Sequence, residues 1–532
     1  MSTQIREDQV YDAIIVGGGL AGLTAAYMLR DKNILALEKE SRFGGRVYSE
    51  QVDGLTNNIG TQFFSDSDSS MVQMFDELGV KKIARNQITA IIALNLNGRY
   101  YPTALKYITP RFVFQSIKLL FRSYRKYQTF LLPMDSPRWQ ALVKGNTKDL
   151  FEDCGEEVLA LLYTFLRGAC LSKPERTSAG IGAAFVGSVY DSGDIAFVEG
   201  GFQQITDRLA RSVEGKILSN AAVTNVVERD GLVQVRFSYQ GEDFTLKAKA
   251  AVIATPTPVI AGFMPELPAK KLDVLQRVAY GPITVVSLKL KKSVPWQRFF
   301  TLISDSTIFQ GAVDQTMATE VDKNPDKPIL INLLITHYPD ETEEIADFLA
   351  KSDDEIITLS VSDFGRVVPN AQTIEDYILE SKVTRYPIGE LELSPEYYAE
   401  LLPELEKSVG NIHFCGDYTG RMSFIDGAVS SAFRVARELD SKFVVSEQAE
   451  GASLRHPKYG TWGISAIVLN ILLIGLGISS ASMIGMTAII LGGTLLAGTV
   501  LFPIYFPPVK QVYQLIFGVS GILTLLAGLV LI

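Results

Sequence analysis

The chain has 532 residues, which is enough for two or three domains with hydrophobic cores of their own, and its formal net charge is −9. This acidic balance gives no reason to expect nucleic acid as a partner. The three cysteines and three histidines are scattered along the chain, so we predict neither a metal site nor a disulfide framework.

Near the N-terminus, an apolar run of strand length leads into a Gly-x-Gly-x-x-Gly turn and then into a helix-like segment. Gly17 permits a tight turn out of the strand, and Gly19 leaves no Cβ between the backbone and a pyrophosphate. Gly22 allows the helix to pack closely on the strand. The pattern predicts a dinucleotide site; a glycine-rich turn without a ligand is the alternative.

The helix after this turn begins with Leu20 and Ala21, and its free N–H groups suit a pyrophosphate. A second short apolar run ends in Glu38, which is followed by Lys39. Glu38 lies 19 residues after Gly19, near the spacing at which an acid meets a ribose 2′-hydroxyl. Because a carboxylate repels a 2′-phosphate, we expect FAD or NAD rather than NADP.

A Gly-Gly-Arg loop at residues 44–46 follows this acid after a short charged segment. The combination resembles the flavin amine oxidase superfamily, which includes monoamine oxidases, protoporphyrinogen oxidases and carotenoid desaturases. The resemblance implies bound FAD, with the pyrophosphate and ribityl chain against Gly44, Gly45 and Arg46. An exposed Arg46 without a ligand is the alternative. Gly60 and Thr61 resemble the family's next flavin-contacting segment.

Two later segments extend the resemblance to residues 11–439. Residues 217–227 and 233–239 alternate as a hairpin, in which Val223 matches a valine whose backbone contacts adenine in the family; an ordinary strand valine would look the same. Gly416-Asp417 ends an apolar strand, and the resemblance implies that Asp417 accepts from a ribityl hydroxyl. Ile425 and Ala428 belong to a helix start that would face the flavin pyrimidine.

We therefore predict an α/β protein with a discontinuous Rossmann-type FAD-binding domain, an α+β substrate domain and a C-terminal transmembrane helical tail. The predicted boundaries are 8–80, 196–284 and 405–442 for the FAD-binding domain, 81–195 (helical) and 285–404 for the substrate domain, 443–459 for a linker and 460–532 for the tail. The basic, aromatic stretch 111–127 fits either an interfacial helix at a membrane or a core helix with a solvated basic side.

The tail contains a single charged residue, Lys510, and its apolar blocks suit three membrane spans, or two with one interfacial block. Basic residues before the first span and between the later spans place the flavin domain on the cytoplasmic side. We therefore expect a multi-pass C-terminal membrane anchor.

The chemistry implied by the resemblance is hydride transfer to flavin N5, and we assign no catalytic residue. Two features of the monoamine oxidase branch are missing: Val285 stands where a lysine is expected near N5, and Phe424 stands where a tyrosine frames the amine. We expect non-covalent FAD, because Cys415 does not match the tethering cysteine of some members.

These departures favour oxidation, desaturation or isomerisation of a lipophilic polyene or tetrapyrrole substrate. A pocket walled by Tyr386 and Phe424 is predicted, although plain core aromatics would look the same. Oxygen, quinone or another membrane carrier would reoxidise the flavin. The alternatives are a flavin amine oxidase acting on a primary or secondary amine, and a membrane flavoprotein without turnover.

Overall fold

The computed structural model describes residues 5–440, all of them in the first of the chain's two units, Met1–Arg455. The description omits residues 66–69, 87–91, 97–98, 102–114, 116–118, 120–122, 124, 127–128, 131, 171, 192–193, 292, 295–299, 304–307, 317–326 and 368–372. Within the described part, no helix is long and apolar enough to span a bilayer. The predicted tail and most of the stretch 111–127 lie outside the described residues.

Strands and helices are interspersed along residues 5–440. The strands are β1 (Val10–Val16), β2 (Ile34–Leu37), β3 (Ser49–Val52), β4 (Leu55–Asn58), β5 (Phe64–Ser65), β6 (Lys82–Asn86), β7 (Ile92–Leu96), β8 (Arg99–Tyr101), β9 (Asp194–Val198), β10 (Ile217–Leu218), β11 (Ala221–Arg229), β12 (Leu232–Tyr239), β13 (Glu242–Ile253), β14 (Tyr280–Leu290), β15 (Phe300–Ile303), β16 (Gly311–Asp314), β17 (Ile329–Thr336), β18 (Ile378–Leu391) and β19 (Ile412–Phe414). The helices are α1 (Leu20–Met28), α2 (Ser70–Glu77), α3 (Pro137–Val143), α4 (Thr147–Phe151), α5 (Glu156–Cys170), α6 (Ala179–Asp191), α7 (Gln203–Ser212), α8 (Thr257–Phe263), α9 (Ala269–Gln276), α10 (Thr342–Leu349), α11 (Asp353–Val367), α12 (Leu402–Leu405) and α13 (Phe424–Leu439).

The first sheet has the strand order β10-β2-β1-β13-β12-β11, and β19 pairs with β13. β10, β2, β1, β13 and β19 run parallel, and their apolar side chains are buried because helices such as α1 and α13 cover the sheet. β11 to β13 form an antiparallel meander. Asp230 and Gly231 form the turn of its first hairpin at φ values of 52° and 75°, which are typical of an Asp-Gly hairpin turn. Three separate segments of the chain thus build one Rossmann-type sheet, which confirms that part of the predicted fold.

The second sheet has the order β18-β14-β17-β16-β15-β7-β8 and is mostly antiparallel. Apolar side chains of α10 and α11, including Phe348, Ile356 and Phe364, pack in the core beneath it. Residues 81–195, predicted as helical, also supply β6, β7, β8 and the start of β9; β7 pairs with the distant β15, and β6 pairs with β9. The predicted domain boundaries stay a prediction.

Candidate flavin site

The glycine turn between β1 and α1 leaves room for a ligand at the helix N-terminus. Gly17 has φ +107°, and a Cβ on Gly22 would lie 1.9 Å from the Gly17 carbonyl oxygen. A Cβ on Gly19, in contrast, would meet nothing within 4 Å. Gly19 caps α1 without a side-chain hydrogen bond, and the first turn contains no acidic residue. The free N–H groups of this turn, which includes the buried Leu20 and Ala21, therefore fit the pyrophosphate of FAD.

Glu38 is held in place at the end of β2. Its carboxylate accepts hydrogen bonds from the Gly18 N–H at 2.7 Å and from the Glu40 N–H at 2.8 Å. The Ala221 N–H donates to the Glu38 carbonyl at 2.8 Å, which brings Val223 to the same edge of the site. This geometry suits a ribose hydroxyl of FAD at the Glu38 carboxylate and the adenine base near β11.

Lys39, predicted with Glu38, instead extends away from the protein. Its side chain is 70% exposed, and its ammonium lies 3.3 Å from the Glu40 carboxylate. Lys39 is exposed because it lies just after the end of β2, where the chain leaves the buried sheet. The structure shows no role for the Lys39 side chain at the site.

The Gly-Gly-Arg loop packs directly on the glycine turn. The Gly44 N–H donates to the Gly18 carbonyl at 2.8 Å, and Gly44 has φ +113°. A Cβ on Gly45 would lie 3.5 Å from the Gly19 Cα, and Gly45 has φ +56°. The two motifs therefore form one surface, as the resemblance implies.

Arg46 links this surface to the C-terminal motif. Its Nη2 lies 2.9 Å from Asp417 Oδ2, and its Nη1 donates to the Gly389 carbonyl oxygen at 2.6 Å. Burial acts against the charge of Arg46, but Asp417, Tyr280 and Glu390 together raise its pKa above the ordinary value. Arg46 is thus a fixed cation of the site rather than a surface charge.

The segment before Thr61 is anchored by buried amides. The Asn58 N–H donates to Gln315 Oε1 at 3.2 Å, and Asn332 Nδ2 donates to the Asn58 carbonyl at 2.8 Å. Gln62 Nε2 donates to the Gly60 carbonyl at 2.9 Å. A Cβ on Gly60 would lie 1.7 Å from the Arg46 carbonyl oxygen, so only glycine fits there. Side chains of the second sheet therefore hold Gly60 and Thr61 in place.

Helix α13 begins beside Asp417 with an unusual backbone. Phe424 has φ +71°, a conformation that costs a bulky residue about 1–3 kcal/mol. Ile425 is 6% exposed, and it packs with Ala428 in the core beside α1. Their side chains therefore serve packing, and contact with flavin from this turn would come from backbone N–H groups. Asp426 shares the turn, and burial raises its pKa to about 6.

The two predicted pocket walls have different neighbours, and the pocket between them stays a prediction. Phe424 makes an edge-to-face contact with Phe185, with ring centroids 6.3 Å apart. Burial raises the pKa of Tyr386 to about 12, and its charged neighbours are Arg42 and Glu50, beside the Gly-Gly-Arg loop. Tyr386 lies on the long strand β18, where it pairs with Ile283 several residues before the strand reaches Arg46.

Sequence reasoning missed Glu390 and Tyr280, which both lie near Arg46. β14 and β18 pair here, with Gly281 opposite Glu390. Burial raises the pKa of Glu390 to about 7 and the pKa of Tyr280 well above its usual range. The available signal was the Gly-Glu pair at residues 389–390, a glycine and an acid at a strand end like the pair at 416–417.

The parallel sheet, the glycine turn and the position of the Glu38 carboxylate together define a Rossmann-type dinucleotide-binding protein. A family model described as flavin containing amine oxidoreductase matches residues 20–440. The chain belongs to this family. It is therefore an FAD-dependent oxidoreductase, which confirms the predicted family and cofactor.

Two curated relatives show how far the similarity extends. "Probable flavin-containing monoamine oxidase A" of Dictyostelium discoideum is 24% identical over 479 residues, covering 82% of this chain and 99% of the relative. "Amine oxidase [flavin-containing]" of Danio rerio is 24% identical over 470 residues, covering 81% and 85%. Both relatives are thus similar to this chain over nearly the whole described part.

Solved structures share the fold at low sequence identity. Putrescine oxidase bound to putrescine has a TM-score of 0.67 and 19% identity, covering 81% of this chain and 99% of that chain. Cyclohexylamine oxidase from Brevibacterium oxydans IH-35A has a TM-score of 0.65 and 19% identity, covering 82% and 99%. At such identity these similarities support the fold alone.

Proposed function

We propose that the chain is an amine oxidase that removes a hydride equivalent from the carbon next to a primary or secondary amine nitrogen. The observation that carries this proposal is the family match over residues 20–440, which includes every motif of the flavin site that follows the glycine turn. Bound FAD would supply the electron acceptor for this step. The polypeptide holds the cofactor and sets the charge around the substrate.

The charge of the site suits a cationic substrate. Glu390, Asp417 and Asp426 are three carboxyl groups in or beside the site, whereas Arg46 pairs with Asp417 and faces Glu390, and Arg42 donates to the Gly45 carbonyl. A surplus of carboxyl groups attracts ammonium groups and disfavours anionic substrates. This balance supports an amine over an acidic substrate.

Oxidation of a lipophilic polyene or tetrapyrrole is the second candidate, and two residues favour it. Val285 is 1% exposed on β14 and cannot act as the N5 lysine, and Phe424 offers no hydroxyl to frame an amine. An apolar pocket would suit a large hydrocarbon substrate. It would equally suit an amine with a bulky apolar group, which is the form of amine that we favour.

An anaerobic flavin-bleaching panel tests both candidates. Purified holoprotein is mixed with putrescine, benzylamine, cyclohexylamine, a carotene and a porphyrinogen, and the flavin absorbance is followed. We expect an apolar monoamine to bleach the flavin fastest. Bleaching by the carotene or the porphyrinogen alone would support the second candidate. A flavin that dithionite reduces but that no compound bleaches would indicate a flavoprotein without turnover.

The electron acceptor and the membrane location are parts of the same proposal. We propose oxygen or a quinone as acceptor and anchoring through residues 460–532, on the basis of their near absence of charge. Full-length protein should stay in the membrane fraction after a carbonate wash and enter solution with detergent. Release by carbonate alone would contradict the anchor, and stopped-flow reoxidation with oxygen or a soluble quinone would identify the acceptor.

A further inference from the structure

Glu390 is fixed at the point where β18 reaches the flavin site. The preceding carbonyl, that of Gly389, accepts the 2.6 Å hydrogen bond from Arg46. A Cβ on Gly389 would lie 2.6 Å from the Gly281 carbonyl oxygen, so β18 is pressed against β14 here. The direction of the Glu390 side chain is therefore set by a close backbone contact rather than by a flexible loop.

Among the residues that the structure describes, the Glu390 carboxyl group has no ion-pair partner of its own. Arg46 faces it but is already 2.9 Å from Asp417, which also faces Glu390. Tyr280 approaches from β14, and Ser423 approaches from the start of α13. Glu390 Oε1 is buried and has no hydrogen-bond partner among the described residues, whereas the fully buried Ser423 hydroxyl lies within reach of the Glu390 carboxyl group.

This arrangement allows Glu390 to exist in either protonation state. Burial and the Asp417 charge favour the neutral acid, whereas the Ser423 hydroxyl and Arg46 favour the carboxylate, and the resulting pKa is about 7. A group that titrates near neutrality is suited to proton exchange during turnover. Asp417, by comparison, is committed to Arg46.

We propose that Glu390 is the proton acceptor of this flavin site. This inference rests on the proposed amine oxidation. The C–H bond beside an ammonium group breaks with both of its electrons, and bound FAD would accept the hydride. One N–H proton passes to the Glu390 carboxylate, so that the amine leaves as an iminium ion and Glu390 becomes a neutral acid. Water then removes this proton before the next turnover.

A redox titration tests the placement of Glu390 without any substrate. The midpoint potential of bound FAD is measured from pH 5 to pH 9 in the wild type, in Glu390→Gln and in Glu380→Gln. Glu380 lies on the same strand but is an exposed partner of Lys289. We expect the slope of potential against pH near pH 7 to change in Glu390→Gln alone. Identical slopes in all three proteins would overturn the proposal.

Anaerobic single-turnover kinetics with the best amine test the acceptor role. In the wild type, the rate of flavin reduction should rise through pH 7 as Glu390 ionises. Glu390→Gln should be slower by about 10²-fold and lose this rise, whereas Glu390→Asp should retain it. A Glu390→Gln protein with bound FAD and the wild-type profile would refute the role.

The two experiments separate this inference from the proposed function. If no amine reduces the wild-type flavin, the proposed function fails, and with it the acceptor role, while the redox titration still shows whether Glu390 titrates beside the cofactor. If amines reduce the flavin but both Glu390 variants behave as the wild type, amine oxidation stands and the acceptor role fails. Flavin content and melting temperature of each variant confirm that the comparison is between folded proteins.

Discussion

The Arg46 guanidinium lies 2.9 Å from the Asp417 carboxylate, so one ion pair joins the Gly-Gly-Arg loop to the strand end before α13. These residues come from opposite ends of the described chain. The same guanidinium donates to the Gly389 carbonyl at the end of β18. Arg46 therefore connects both sheets at the place where the flavin is expected to bind.

Asp417→Asn should destabilise the protein and weaken FAD binding. The substitution leaves Arg46 without its carboxylate; breaking a buried pair typically costs 3–5 kcal/mol, and we expect about 2 kcal/mol because the Arg46 side chain is 35% exposed. Urea denaturation measures the loss. Glu266→Gln, which breaks the exposed pair with Arg229, should change the free energy of unfolding by less than about 0.5 kcal/mol. Equal effects of the two substitutions would contradict this role of Arg46.

Alanine at Gly19 and alanine at Gly22 should have different effects. The Gly19 Cβ would enter open space, so we expect FAD-free protein of wild-type stability that binds FAD at least 10-fold more weakly. The Gly22 Cβ would lie 1.9 Å from a carbonyl oxygen, so that variant should also lose stability without FAD. Melting curves with and without FAD distinguish the two cases. Full FAD affinity in Gly19→Ala would place the pyrophosphate elsewhere.

Lys271→Met should destabilise the end of α12. Lys271 is 6% exposed, and its ammonium donates to three backbone carbonyls, those of Glu404, Leu405 and Lys407. Three acceptors left without a donor cost about 1 kcal/mol each, so we expect a loss of about 3 kcal/mol in the free energy of unfolding. The neighbouring Lys270 is exposed, and Lys270→Met serves as the control in chemical denaturation. A loss below 1 kcal/mol for Lys271→Met would show that water replaces the ammonium.

Asp426 should make the stability of the FAD-free protein depend on pH. Burial raises its pKa from 3.8 to about 6, so the folded state binds more protons than the unfolded state in this interval. Its contribution is therefore fully present below about pH 4 and is lost as the pH rises through 6. Asp426→Asn should flatten this dependence and be the more stable protein at pH 7.5. Parallel stability curves between pH 4 and pH 7.5 would contradict the assignment.

The parts of the site that could be predicted are those that local backbone geometry determines. Gly17, Gly44 and Gly45 adopt positive φ values. Glycine is the residue that adopts such values without strain, so the sequence itself marks these turns. The turn at residues 230–231 is equally local. Such features leave a short-range pattern that does not depend on the rest of the fold.

The parts that could not be predicted depend on pairing between distant strands. Glu390 enters the site because β18 pairs with β14, and no local pattern states that register. A register shift between Gly281 and Ile283 then separates Tyr386 from the end of the strand that reaches Arg46. Strand β7, which lies within residues 81–195, likewise depends on the distant β15. Long-range registers of this kind determine which side chains face a cofactor.

The left-handed backbone of Phe424 has a consequence for laboratory evolution of this enzyme. Glycine or asparagine at this position would relax the main chain and raise the melting temperature. The same substitution would remove an aromatic ring from the first residue of α13, next to the residues that are expected to hold the cofactor. Selection for heat resistance and selection for turnover should therefore choose different amino acids at this one codon.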